Sequence, residues 1–172
     1  MPATYEPIAT YTVPNTSTTT YTFSAIPQTY TDLVLWMSAR NNSNNYGGYE
    51  IRLNGVGTGD AQRWVRNSNM TSTVSSSAGN MADFVHFPIS GDTASTFTTN
   101  IIHICNYSQG TYGKPYFARN GGRFYYGATG NSQVGISVGS QDSVTAVTSI
   151  GIGYGDAFAQ NSVFTLYGIK RA

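Results

Sequence analysis

The segment Phe97–Arg119, FTTNIIHICNYSQGTYGKPYFAR, limits what the chain can fold into more than any other. Near its start Ile101, His103, Cys105 and Tyr107 alternate with Ile102 and Ile104, so both faces of an extended strand carry apolar side chains. Two-sided apolar character over so short a run, rich in β-branched residues and bounded by turn residues, reads as a central strand buried on both faces. Ser108–Gly110 then reads as a turn. Lys114–Arg119 is extended again, with Pro115 placing it near a sheet edge or a strand start. Such a strand needs neighbours beside it and a layer across from it.

The rest of the chain supplies them. Tyr21–Ala25 alternates and ends at Ile26-Pro27. In Thr31–Arg40, Leu33, Leu35 and Met37 oppose Val34 and Trp36, which predicts a second central strand with Trp36 in the core. Tyr49–Asn54 sets Tyr49, Ile51 and Leu53 inward and runs into the hairpin signal Asn54-Gly55. Ala61–Arg66 reads as a short strand, Asn67–Asn80 as a long Ser/Thr/Asn loop, and Ala82–Ile89 as a strand with Val85, Phe87 and Ile89 in phase. Asn120-Gly121-Gly122 predicts a hairpin turn between Tyr116–Arg119 and Arg123–Gly127. Val134–Val138, Val144–Tyr154 and Ser162–Lys170 follow, the last with Phe164 and Leu166 opposing Val163, Tyr167 and Ile169, as an internal strand would. No useful stretch shows a 3.6-residue period and no fixed repeat appears. The expected fold is all-β, a single-domain antiparallel sandwich of jelly-roll type covering residues 21–172. Residues 1–20, rich in Thr and interrupted by Pro2, Pro7 and Pro14, read as an N-terminal arm or an edge strand whose large apolar groups are Tyr5, Ile8 and Tyr11.

Composition narrows function by exclusion. Only 10% of the 172 residues are charged, against a usual share of about 25%, while 13% are aromatic, which argues for a packed domain rather than a disordered one. Net charge is +1 with Lys and Arg scattered, so no basic cluster exists to neutralise phosphates and no nucleic-acid partner is expected. No apolar run is long enough to cross a membrane as a helix, and the N-terminus has neither the basic nor the apolar region of a signal peptide. Cys105 is the single cysteine and reads as an inert buried thiol. His86 in FVHFP and His103 in IIHIC have no second ligand at metal spacing. Gly151–Gly155 lacks the lysine of a phosphate loop. No G-x-S-x-G elbow and no close carboxylate pair occurs. The expectation is therefore no catalytic residue, no metal and no cofactor. Among the aromatics, Trp64 between Arg63 and Arg66 is the candidate for an exposed binding residue.

The opening MPATYEPIAT, the strand-turn-strand YTFSAIPQTYTDLVLWMSAR, the Tyr49–Gly55 strand, the segment IIHICNYSQGTYGKP and the closing VFTLYGIKRA together resemble small virion surface proteins of tailed bacteriophages, especially those of cyanobacteria. The resemblance spans most of the chain as pattern and spacing, without a catalytic signature. It implies a capsid decoration (cement) protein on the outer surface of the virion, bound to the major capsid protein lattice as a homotrimer. Tyr5, Ile8 and Tyr11 would then form a docking arm. The other reading is a tail- or head-fibre adaptor that grips host polysaccharide through polar loops and Trp64.

Overall fold

Apolar residues recurring at every second position produce strands from one end of the chain to the other. The computed structural model contains β1 (Tyr5–Thr12), β2 (Thr20–Phe23), β3 (Asp32–Ala39), β4 (Glu50–Leu53), β5 (Asp60–Ser68), β6 (Thr71–Gly79), β7 (Thr98–Ile104), β8 (Lys114–Tyr126), β9 (Thr129–Gln141), β10 (Ile150–Gly153) and β11 (Val163–Ile169). It describes residues 5–14, 18–44, 49–56, 60–68, 71–79, 87–92, 95–126, 129–141, 145–153 and 155–170, with side chains except in 60–79 and 122–134. No helix occurs among the described residues.

Two antiparallel sheets form a β-sandwich. The larger runs β1-β11-β3-β7-β8-β9-β5-β6 and the smaller β2-β10-β4. Their facing sides make one core: Leu33, Leu35 and Met37 of β3, Ile102 and Ile104 of β7, and Phe164 and Leu166 of β11 come from the large sheet, and Phe23, Ile51, Leu53, Ile150 and Ile152 from the small one. Between them Phe158 stacks on Tyr49 at 4.6 Å and meets Phe164 edge-on at 4.8 Å, with Phe87 closing the cluster. Tyr49, Ile51 and Leu53 point inward as their alternation predicts, and β11 lies inside the sheet between β1 and β3.

Elsewhere the structure corrects the sequence reading. The Asn67–Asn80 stretch contains a strand, β6, paired with β5 along its whole length. An edge strand is held through its main chain, so a Ser/Thr run without apolar alternation serves. Asn120-Gly121-Gly122 makes no turn: β8 continues through it, paired with β9 from Lys114 to Tyr126. Asn54 and Gly55 do turn, at φ of 53° and 75°, the paired left-handed conformations of a tight hairpin turn. The chain nevertheless leaves this turn for the other sheet, because β4 pairs with β10 and β5 with β9 and β6. Asn54 anchors the bend, accepting from the Thr148 amide at 2.8 Å and donating to the Ala146 carbonyl at 2.8 Å. Phe87 and Ile89 are buried outside any strand; Val85 and His86 lie outside the described residues.

Residues 5–12 form β1, an edge strand on β11 with a register shift between Pro7 and Ala9. Ile8 and Tyr11 pack against the core, Tyr11 stacked on Tyr21 at 3.8 Å. A truncation beginning at Tyr21 is therefore expected to unfold more easily by about 3–6 kcal/mol, since it strips Ile8, Tyr11 and Val13 from the core and bares the β11 edge. Urea denaturation of the truncated chain measures this; a loss under about 1 kcal/mol would show β1 to be dispensable.

Tyr49 is buried with no hydrogen-bond partner for its hydroxyl among the described residues. Burial, reinforced by the Asp156 charge, raises its phenol far above the ordinary range. An unfolded tyrosine ionises near pH 10. This contribution to stability is thus complete below about pH 10 and falls away as pH rises beyond it. Tyr49→Phe removes an unpaired buried hydroxyl and is expected to be neutral or stabilising by about 1 kcal/mol at pH 7. Its advantage over the parent should widen in denaturation series above pH 10; an equal alkaline decline in both proteins refutes the assignment.

Candidate functional site

An antiparallel sheet with one face on the core ordinarily turns polar residues to the other side. The large sheet does not. Its pairings align Thr165, Trp36, Ile101, Arg119 and Ile136 in one row across β11, β3, β7, β8 and β9. The adjacent row is Tyr167, Val34, His103, Phe117 and Val138. Trp36 is 48% exposed, Phe117 40%, Ile136 48% and Val138 51%. Scattered exposed apolar residues are commonplace, but a contiguous band of them marks an interaction surface.

One end of the band is concave. Tyr5, Val34, Trp36, Ile101, Arg119 and Tyr167 line a groove of about 400 Å³. Tyr5 stands edge-on to Tyr167 at 6.3 Å and is 54% exposed. Arg119, paired with Ile101, adds a cationic side chain to the lining. Close by, Lys170 pairs with Glu6 at 3.0 Å and lies over the Tyr30 ring. The hydrogen bond from Lys170 holds Glu6 below the usual carboxylate range, while burial raises Tyr30. These contacts tie the start of β1 to the end of β11 and fix the groove wall that carries Tyr5. A face with an aromatic groove, an aliphatic extension and one cation can bind a complementary surface.

Three polar side chains border the same face. The β3–β7 pairing brings Asp32 against His103 and Cys105, with one potential donor atom of each within 4.8 Å of the others. His103 Nε2 is 3.3 Å from Asp32 Oδ2. The other Asp32 oxygen accepts the Asn106 amide at 2.8 Å.

The residues singled out in the sequence are dispersed. Tyr5 lies on the outer face, while Ile8 and Tyr11 turn to the core, so the three do not form one docking surface. Trp64 sits in β5 opposite Ser137; its side chain lies outside the described residues. Trp36, expected in the core, is exposed, and β7 is buried on one face only, with Ile101 and His103 half-exposed on the other. Both corrections have one cause: no second sheet lies over this side of β3 and β7 among the described residues, although Val34 on the same face is buried. Cys105 is likewise half-exposed. Phe117, Ile136 and Val138 were missed as site residues, although their alternation with Ala118, Ser137 and Gly139 carried the signal. No protein-family model, curated protein or solved structure matches the chain.

Proposed function

We propose that this chain is a non-enzymatic structural protein of a tailed-phage virion, a capsid decoration protein that docks on the major capsid protein lattice. The observation that carries the binding part is the apolar band on the outer face of the large sheet, centred on Trp36, Ile101 and Phe117. The virion part rests on the resemblance of the chain's strand and turn segments to phage surface proteins. Strand order supports the jelly-roll form that this reading expects. Consecutive strands β1 to β4 alternate between the sheets, and the first strand lies beside the last, in the orders β1-β11-β3-β7 and β2-β10-β4. Docking through an existing sheet face requires little ordering of the chain, which keeps the entropic cost of association low.

The test is co-sedimentation of purified protein with phage heads that lack it, followed by heating. Saturable binding at hundreds of copies per head, with greater resistance to rupture, is the expected result. Failure to bind heads sinks the reading. Sedimentation equilibrium tests the homotrimer that the resemblance implies. One observation favours a second reading, an adaptor for host polysaccharide: Trp36, Tyr5 and Tyr167 gather around one groove, and sugar rings stack on exposed aromatics. Retention on a host-polysaccharide column, lost in Trp36→Ala, would support that alternative.

A further inference from the structure

We infer that Asp32, His103 and Cys105 form a zinc-binding site. His103 and Cys105 are separated by one residue, at the end of β7 and just beyond it, so they project to the same side. Asp32 opens β3, the neighbouring strand, in which Val34 is paired with His103. The three donors are nitrogen, sulfur and oxygen, the set that zinc accepts.

The spacing fits one ion. Two N/O ligands about 2.05 Å from a tetrahedral zinc lie roughly 3.3 Å from each other, and His103 Nε2 is 3.3 Å from Asp32 Oδ2. Each of the three residues offers one donor atom within 4.8 Å of the others, so the cluster has to contract to reach the bond lengths zinc requires.

The surroundings suit it as well. His103 Nε2 is shielded from solvent and has no hydrogen-bond partner among the described residues, although Asp32 Oδ2 is near. Nε2 faces Asp32 Oδ2 at 3.3 Å, and a cation held between these two groups would satisfy both. The Asn106 amide bonds Asp32 Oδ1 and leaves Oδ2 turned toward His103, the supporting contact that orients a metal-bound carboxylate. The Cys105 amide donates to the Pro115 carbonyl at 2.9 Å, which fixes the backbone that carries the thiol. On binding, the thiol releases its proton to solvent and a sulfur–zinc bond forms. One thiolate and one carboxylate then balance the two positive charges, so the half-buried site is neutral overall. The fourth position is left to water.

The experiment uses the full chain, stripped with EDTA and kept anaerobic so that Cys105 stays reduced. Calorimetry with Zn²⁺ is expected to show one equivalent bound. Co²⁺ should produce a thiolate-to-metal charge-transfer band and the intense visible bands of a tetrahedral ion. Cys105→Ser should abolish the charge-transfer band, and Cys105→Ser and His103→Gln should each weaken Zn²⁺ binding by at least about 100-fold, the upper end of what loss of a mere outer-shell partner costs, with unchanged far-ultraviolet circular dichroism. His86→Gln should leave binding intact. Three results overturn the inference: no stoichiometric binding at micromolar Zn²⁺, a Co²⁺ spectrum without the thiolate band, or binding that survives both Cys105→Ser and His103→Gln.

Discussion

Phe158→Ala is expected to lower the free energy of unfolding by about 3–5 kcal/mol, among the largest losses from a single substitution in this protein. Phe158 is fully buried and touches rings from both layers: Tyr49 next to β4, Phe164 of β11, and Phe87 in the segment before β7. Truncation removes the transfer free energy of the ring and leaves a cavity that three other aromatic rings border. Rings of that size cannot collapse into the gap without leaving their rotamers. The residue is also pinned at the backbone, where its amide donates to the Thr18 carbonyl at 2.8 Å and it bridges to Asn41, so the main chain cannot move in to fill the space. Urea denaturation with an unchanged m-value measures the effect. A loss below about 1 kcal/mol would mean that the two sheets do not close on this cluster.

Phe158 also marks where the sequence stopped being legible. It sits between two segments that read as strands and follows no alternation of its own, so periodicity gave it no role. Where alternation held, it was informative: Leu33, Leu35 and Met37 are inward, as are Tyr49, Ile51 and Leu53, and Phe164 and Leu166. It failed at β6, whose Ser and Thr residues carry no apolar period, and at Asn120-Gly121-Gly122, where the strand pairings on either side override turn propensity. The most consequential misreading was at β3 and β7. Apolar residues on both faces of a strand arise either from burial on both faces or from burial on one and a binding surface on the other. A single sequence does not separate these, because both place Trp36 and Ile101 in the same pattern. The donor cluster was equally hidden, since His103 and Cys105 are joined by Asp32 only through the pairing of β3 with β7.

If the chain docks on phage heads as proposed, Trp36→Ser combined with Ile101→Ser is expected to weaken that binding by about 10- to 100-fold, at a cost in folding stability of about 2–4 kcal/mol. The two residues face each other across β3 and β7 and form part of the groove. Fully burying a large apolar side chain contributes roughly 1.5–3 kcal/mol; a partner can cover only the half of Trp36 and Ile101 still exposed, so losing both costs about 1.5–3 kcal/mol of binding, and each 1.4 kcal/mol is tenfold in affinity. Folding loses a comparable amount, because Trp36 is 48% exposed in the free chain and Ile101 is half-buried on β7, so the rest of each side chain is packed in the fold. The comparison that decides the matter is Tyr112→Ser, which removes an aromatic ring that is 75% exposed and lies outside the groove and outside the aligned rows. If exposed apolar area alone drove association, Tyr112→Ser would weaken binding as strongly. If the band on the sheet is the docking surface, Tyr112→Ser changes affinity less than twofold while the double substitution weakens it by about 10- to 100-fold. Unchanged binding by the double variant, with its circular dichroism intact, would move the contact to another face of the sandwich. Heads bound normally by a variant that has lost retention on host polysaccharide would assign the groove to sugar and leave the capsid contact elsewhere.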